Sequence, residues 1–233
     1  MSKQNNKTEI EGKETVEFFK ELDREALQTE RFLERNAKLL SIIFISLVVA
    51  VLAYFAYKQF IVAPKNEEAT KGYLSAIANL ENGKDAEALG GKSAANPGFM
   101  GTYNNFSNTD AGKLSAYNAG LLKFKEGKYQ EAYDLLDKFS SDNKVLMALK
   151  YGAMSDASAN LNKAEDALSL LEKAISASDD PYTSYYFTRK AGLMALALKK
   201  NAEAKKYFTT IDEQYKEYDN GMSDSYIEMV KYY

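Results

Sequence analysis

The sequence predicts an all-α protein: a single N-terminal transmembrane helix followed by a solenoid of paired helices. Three observations lead there. Leu39–Tyr57 is an uncharged run of 19 residues, LLSIIFISLVVAVLAYFAY, bracketed by Lys38 and Lys58. Apolar residues recur at helical spacing almost throughout 65–233, with no convincing strand alternation. Three later stretches share one ending, and the chain's 3 Pro and 13 Gly leave helices little interrupted.

The tail comes first. Residues 1–13 are polar and are expected to be disordered. From Glu14 to Asn36, Val16, Phe19, Leu22, Ala26 and Leu33 recur at helical spacing, so an amphipathic helix follows within the tail, residues 1–37. It can continue into the anchor, or dock a partner. Residues 1–38 carry 8 basic and 9 acidic residues, which excludes a polybasic lipid binder.

The anchor and its exit occupy 38–62. A helix over the 19-residue run is about 28 Å long, close to the ~30 Å hydrocarbon core of a bilayer. Ser41 and Ser46 can return their hydroxyls to the preceding turn. Tyr54, Tyr57 and Phe60 gather at the far end, where aromatic rings favour the headgroup zone. Pro64 is expected to end or bend the helix. A cleaved signal peptide has a shorter apolar core behind a short basic stretch, so an uncleaved anchor is expected. Arg24, Arg31, Arg35 and Lys38 precede the run, and Lys58, Lys65 and Lys71 follow it. That small bias puts the N-terminus inside and residues 63–233 outside the cytoplasm.

The outer domain is read from its repeats. Gly127–Ala132 (GKYQEA), Asn162–Ala167 (NKAEDA) and Lys199–Ala204 (KKNAEA) share one pattern. Their closing alanines lie 35 and then 37 residues apart. Leu136, Leu171 and Phe208 follow the alanines by one turn, and the small residues Gly120, Ser155 and Gly192 stand at a fixed distance before them. Small residues let paired helices approach, and large ones fill the space between neighbours. This pattern resembles the tetratricopeptide repeat, a helix–turn–helix unit of about 34 residues. The repeats are assigned to 113–143, 148–181 and 185–218, with Pro181 ending the second. Where the family carries Trp this chain has Ala116, Tyr151 and Thr188, and the third turn lacks its Gly. A degenerate repeat spans 67–107: a helix over Glu67–Glu81, a turn at Gly83, a break at Gly90-Gly91 and a shorter helix from near Pro97. Ser223 is expected to cap a final helix, 223–233, that shields the last repeat.

In that family the first helix of each repeat lines a concave groove. The resemblance therefore implies a protein-binding groove lined by Leu114, Tyr117, Leu121, Phe124 and Lys125, then Leu149, Gly152, Asp156, Ala159 and Asn160, then Tyr186, Arg189, Leu193, Leu196 and Ala197. Each apolar member can equally be packing against a neighbouring repeat. Arg189, the sole arginine beyond residue 35, can pair a partner carboxylate or Asp156. Of the 17 tyrosines, 15 follow residue 62, so much of the helical surface is amphipathic ring.

Composition excludes several chemistries. Cys, His and Trp are all absent, so there is no thiol nucleophile, no Ser-His-Asp triad and no Cys/His zinc site. No cofactor is implied, and the Asp179-Asp180 pair reads as solvated turn residues rather than a metal site. A net charge of −3 argues against nucleic acid as a partner.

Along almost its full length the chain resembles the YfgM-like ancillary subunits of the SecYEG translocon, including their Bacteroidota members. The resemblance rests on Phe32–Lys38 leading into the anchor, Lys58–Lys65 at its exit, Tyr103–Gly120 and Gly127–Ala132. It implies a single-pass protein of the bacterial inner membrane, N-terminus cytoplasmic and C-terminal domain periplasmic. Its implied partners are the lipid bilayer, SecYEG, a PpiD-type membrane-anchored periplasmic chaperone, and exported or envelope polypeptides. Its implied role is a non-enzymatic scaffold or co-chaperone. The alternative is a structural or regulatory adaptor in another cell-envelope assembly complex.

Overall fold

The computed structural model describes residues 32–232. The expectations for residues 1–31, the disordered segment and most of the amphipathic tail helix, lie outside them. All regular structure among the described residues is helical, apart from one isolated bridge between Ser93 and Asn96. Close contacts divide the chain into two units at Val62/Ala63.

The first unit contributes α1, residues 32–57, followed by a π-helical turn, Lys58–Val62. The helix is long and apolar enough to cross a membrane, and none of its apolar window is buried against protein. Ser46 Oγ donates to the carbonyls of Ile42 and Ile43, at 2.5 and 3.0 Å, so its hydroxyl is satisfied within the helix. Pro64 does not end the helix. It is the second residue of α2, Ala63–Glu81, and the wider π turn lies immediately before it. A proline lacks the donor for the carbonyl four residues back and crowds it, and a local change of helical pitch accommodates both.

The second unit opens with α2 and is a chain of helices packed in consecutive pairs. It continues with α3 (Asp85–Gly90), α4 (Gly98–Phe106), α5 (Asp110–Lys125), α6 (Tyr129–Lys138), α7 (Lys144–Asn160), α8 (Ala164–Ala177), α9 (Pro181–Ala197), α10 (Asn201–Gln214), α11 (Lys216–Asp219) and α12 (Asp224–Val230). Each of α5 to α10 packs on the next, and α5 also touches α7, as α7 touches α9.

One turn closes four of these pairs. Gly83, Gly127, Asn162 and Lys199 all adopt left-handed backbone, with φ of 71°, 76°, 60° and 59°. Each donates its N–H three residues back, to Leu80, Phe124, Ala159 and Leu196. The next residue, always lysine, donates five residues back: Lys84 to Asn79, Lys128 to Lys123, Lys163 to Ser158 and Lys200 to Ala195. This double closure satisfies helix-end carbonyls that would otherwise lack donors. The third turn lacks glycine, yet Lys199 takes the same conformation.

The small and large repeat positions meet as pairs. A Cβ on Gly120 would stand 2.8 Å from Leu136 Cγ, and one on Gly192 would stand 3.0 Å from Phe208. At the middle repeat Ser155 Oγ donates to Ala167 O at 2.8 Å. Phe208, Leu136 and Leu171 are fully buried. The helix beginnings differ from the repeat frame. Helices α5, α7 and α9 start about one turn earlier than 113, 148 and 185, because Thr109, Asn143 and Asp180 cap them. Pro181 consequently opens α9 rather than ending α8, at the first helical position, where a missing N–H is harmless.

The first pair is interrupted. After α3 the chain crosses itself so closely that a Cβ on Gly91 would lie 2.3 Å from Asn96 O, and one on Gly98 would lie 2.3 Å from Gly91 N. Both glycines have positive φ, so side chains are excluded twice over. The C-terminal expectation also changes. Helix α12 spans Asp224–Val230, and Ser223 does not cap it with its side chain. Ser223 has helical rather than extended backbone, and its hydroxyl donates instead to Asp219 Oδ1 at 2.5 Å.

Candidate protein-binding face

Helices α5, α7 and α9 follow one another in space and carry the residues expected to line a groove. Their centre is an ion pair between neighbouring helices. Lys190 Nζ of α9 lies 2.6 and 2.7 Å from the two carboxylate oxygens of Asp156 on α7. Lys190 also stands 6.0 Å from the ring centre of Tyr186, one turn earlier on α9. Leu149 lies two turns before Asp156, on the same side of α7, and is exposed, as is Leu121 on α5. Tyr186 is 50% exposed and Tyr182, a turn earlier, 59%, so a ladder of rings faces solvent along α9.

The other expected residues divide by what they touch. Tyr117 packs on Phe139, ring centres 5.1 Å apart, and joins the buried cluster of Leu136, Met154 and Leu170. Burial raises its hydroxyl above the usual tyrosine range. Phe124 leans on Tyr129 of α6 at 5.2 Å, and Leu193 packs against the core around Phe208. Leu114 is half-buried, and its carbonyl accepts from Asn118. Gly152 is covered by Phe187 of α9. Lys125 pairs with Asp85 of α3, and Asn160 donates to its own helix at Asp156 O. Leu121, Leu149 and Tyr186 therefore remain exposed, whereas Tyr117, Phe124 and Leu193 pack the helices together.

Arg189 does not pair with Asp156, which Lys190 occupies. Its guanidinium reaches toward the turn after α11, where Nη2 donates a long bond, 3.5 Å, to Met222 O. Asp219 lies in the same region and is 2% exposed. Burial alone would raise this carboxylate, but donors from Ser223 Oγ, Ser223 N and Tyr185 Oη, with Arg189 nearby, hold it below the usual aspartate range. Tyr185 donates at 3.0 Å and is itself pushed up to about 12, first by burial and then by Asp219.

These partners were missed in the sequence, yet they left a signal there. Asp156–Lys190 and Tyr185–Asp219 are each separated by 34 residues, and Glu172–Tyr207 by 35. Polar groups one repeat apart meet across adjacent pairs, so scanning for complementary residues at that spacing would have found them. Lys150 had no such signal. It is 6% exposed and donates to the carbonyls of Asp137 and Phe139 at the end of α6, while burial lowers its ammonium below the usual lysine range.

Glu172 and Ser176 of α8 border two depressions of about 370 and 470 Å³. Tyr207 of α10 donates to Glu172 there at 2.7 Å. Among the described residues no group of three or more acidic side chains is placed to hold a metal ion. Asp180 caps α9, and Asp179 pairs with Lys144 at 3.1 Å. Compared with protein-family models and with curated proteins, the chain matches neither.

Proposed function

We propose that the protein is a membrane-tethered scaffold of the tetratricopeptide type that holds other polypeptides and performs no chemistry of its own. The observation that carries this reading is the shared face of α5, α7 and α9. On these helices Leu121, Leu149 and Tyr186 are exposed, and Lys190 and Asp156 close on one another. Apolar anchors separated by satisfied polar groups suit a peptide segment better than a nucleotide or a sugar. The four equivalent turns and the contacts between alternate helices support the repeat architecture. The exposed apolar helix α1 supports the tether. By its resemblance to the YfgM-like subunits, the protein stands in the bacterial inner membrane with its helical domain in the periplasm. There it assists newly exported chains at SecYEG together with a PpiD-type chaperone.

The test is a photo-crosslinking residue placed at Tyr186 in intact membranes, with the captured neighbours identified by mass spectrometry. Sec subunits and a membrane-anchored chaperone among the reproducible products are the expected result. Reproducible capture of division, cell-wall or outer-membrane assembly proteins in their place assigns the scaffold to another envelope complex. Capture of no polypeptide at all removes the binding role of this face.

A further inference from the structure

Resting on that reading, the environment of Arg189 narrows the kind of polypeptide. Two of the charges beside Arg189 are spoken for. Lys190 is held by both oxygens of Asp156. Asp219 receives three hydrogen bonds, from Tyr185 and twice from Ser223. Arg189 differs. Its Nε is buried and has no hydrogen-bond partner, and the one hydrogen bond of its guanidinium is the 3.5 Å bond to Met222 O. Among the described residues no carboxylate comes within 4.0 Å of its guanidinium. Asp219 lies close enough to feel its charge but spends its oxygens elsewhere. A guanidinium offers five donors in a planar fork; only Nε is shut away, whereas Nη1, without a hydrogen bond and not buried, and the weakly bonded Nη2 stay within reach of a partner.

Exposed apolar side chains flank Arg189. Tyr186 and Tyr182 stand about one and two turns before Arg189 on α9, and Met222, whose backbone Arg189 touches, is 53% exposed. Tyr182 rests on the buried ring of Tyr185 and on Tyr218, with centres 6.1 and 6.3 Å away. We infer that Arg189 receives a carboxylate of the bound polypeptide, an Asp or Glu side chain flanked by apolar residues that lie on Tyr182, Tyr186 and Met222. The planar fork matches a carboxylate through two parallel bonds, and the rings bury its neighbours.

The experiment uses the full chain in detergent micelles. The probes are immobilised peptides of about twelve residues, each with a central Glu between Leu and Phe flanks, paired with a twin in which Gln replaces the Glu. The native protein is expected to prefer the Glu member by roughly ten-fold or more. Arg189→Gln should abolish that preference while retaining residual apolar binding, and Arg189→Lys, with charge but no fork, should fall between. Circular dichroism checks that both variants keep their helices. The ratio between twins is decisive, because a merely structural arginine would weaken both alike. Equal binding of the twins by the native protein, or a parallel loss for both in Arg189→Gln, overturns the carboxylate assignment and leaves the scaffold reading standing. Retention of no peptide of either kind overturns both.

Discussion

Helix α1 and the repeat helices α5 to α10 handle apolar residues in opposite ways. Along α1, Phe44, Leu47, Leu52 and Phe55 are all more than half exposed. In the repeats the fully buried positions are dominated by alanine, including Ala116, Ala132, Ala148, Ala167, Ala191 and Ala204. Large side chains without protein neighbours need hydrocarbon as their solvent, and almost any large apolar residue serves there. Small side chains let backbones approach, so what counts in the repeats is which position is small and which neighbour is large. The first region is specified by composition and the second by register.

The largest effect should come from breaking the register. Phe208→Ala removes a fully buried ring that packs over Gly192 and stacks on Tyr226, ring centres 5.3 Å apart. It should destabilise the helical domain by about 3–5 kcal/mol in thermal unfolding followed by circular dichroism. Membrane retention should not change. The reverse outcome is expected for Leu47→Arg, which puts a charge near the middle of the apolar run at about 2.5–3.5 kcal/mol. More protein should then leave the membrane in a carbonate wash, with the domain's melting temperature unmoved. A shift in both readouts for either variant would merge the two regions into one cooperative unit.

How much of this was open to reading in the sequence follows the same division. The apolar run and the Ala-plus-aromatic spacing announce themselves, because composition and register are both visible in a string of letters. The start of each pair was misplaced, since the repeat pattern marks where helices touch and not where they begin. The caps Thr109, Asn143 and Asp180 set the beginnings, and each is an ordinary polar residue until its side chain is seen accepting an N–H. The candidate face was only partly legible. Tyr117 and Tyr186 look alike as letters, yet one packs on Phe139 and the other faces solvent. Arg189 and Lys190 are adjacent, and the angular step between neighbours on a helix decides which one meets Asp156.

The smallest effect sharpens the account of the turns. Lys199 holds a left-handed backbone that costs an L-residue about 1–2 kcal/mol. Lys199→Gly should raise stability by roughly 0.5–1 kcal/mol, the remainder offset by glycine's greater freedom when unfolded. Asn162→Gly should gain less, because asparagine tolerates that conformation better. Matched denaturant titrations of the two variants would check the order.

Those joints have a wider meaning. Their closure is made by main-chain groups whose bonding is the same at residues 83, 127, 162 and 199. A segment cut between residues 127 and 162, or between 162 and 199, carries one pair of helices with like ends. Inserting or removing such a pair would leave the hydrogen bonding at both joints unchanged.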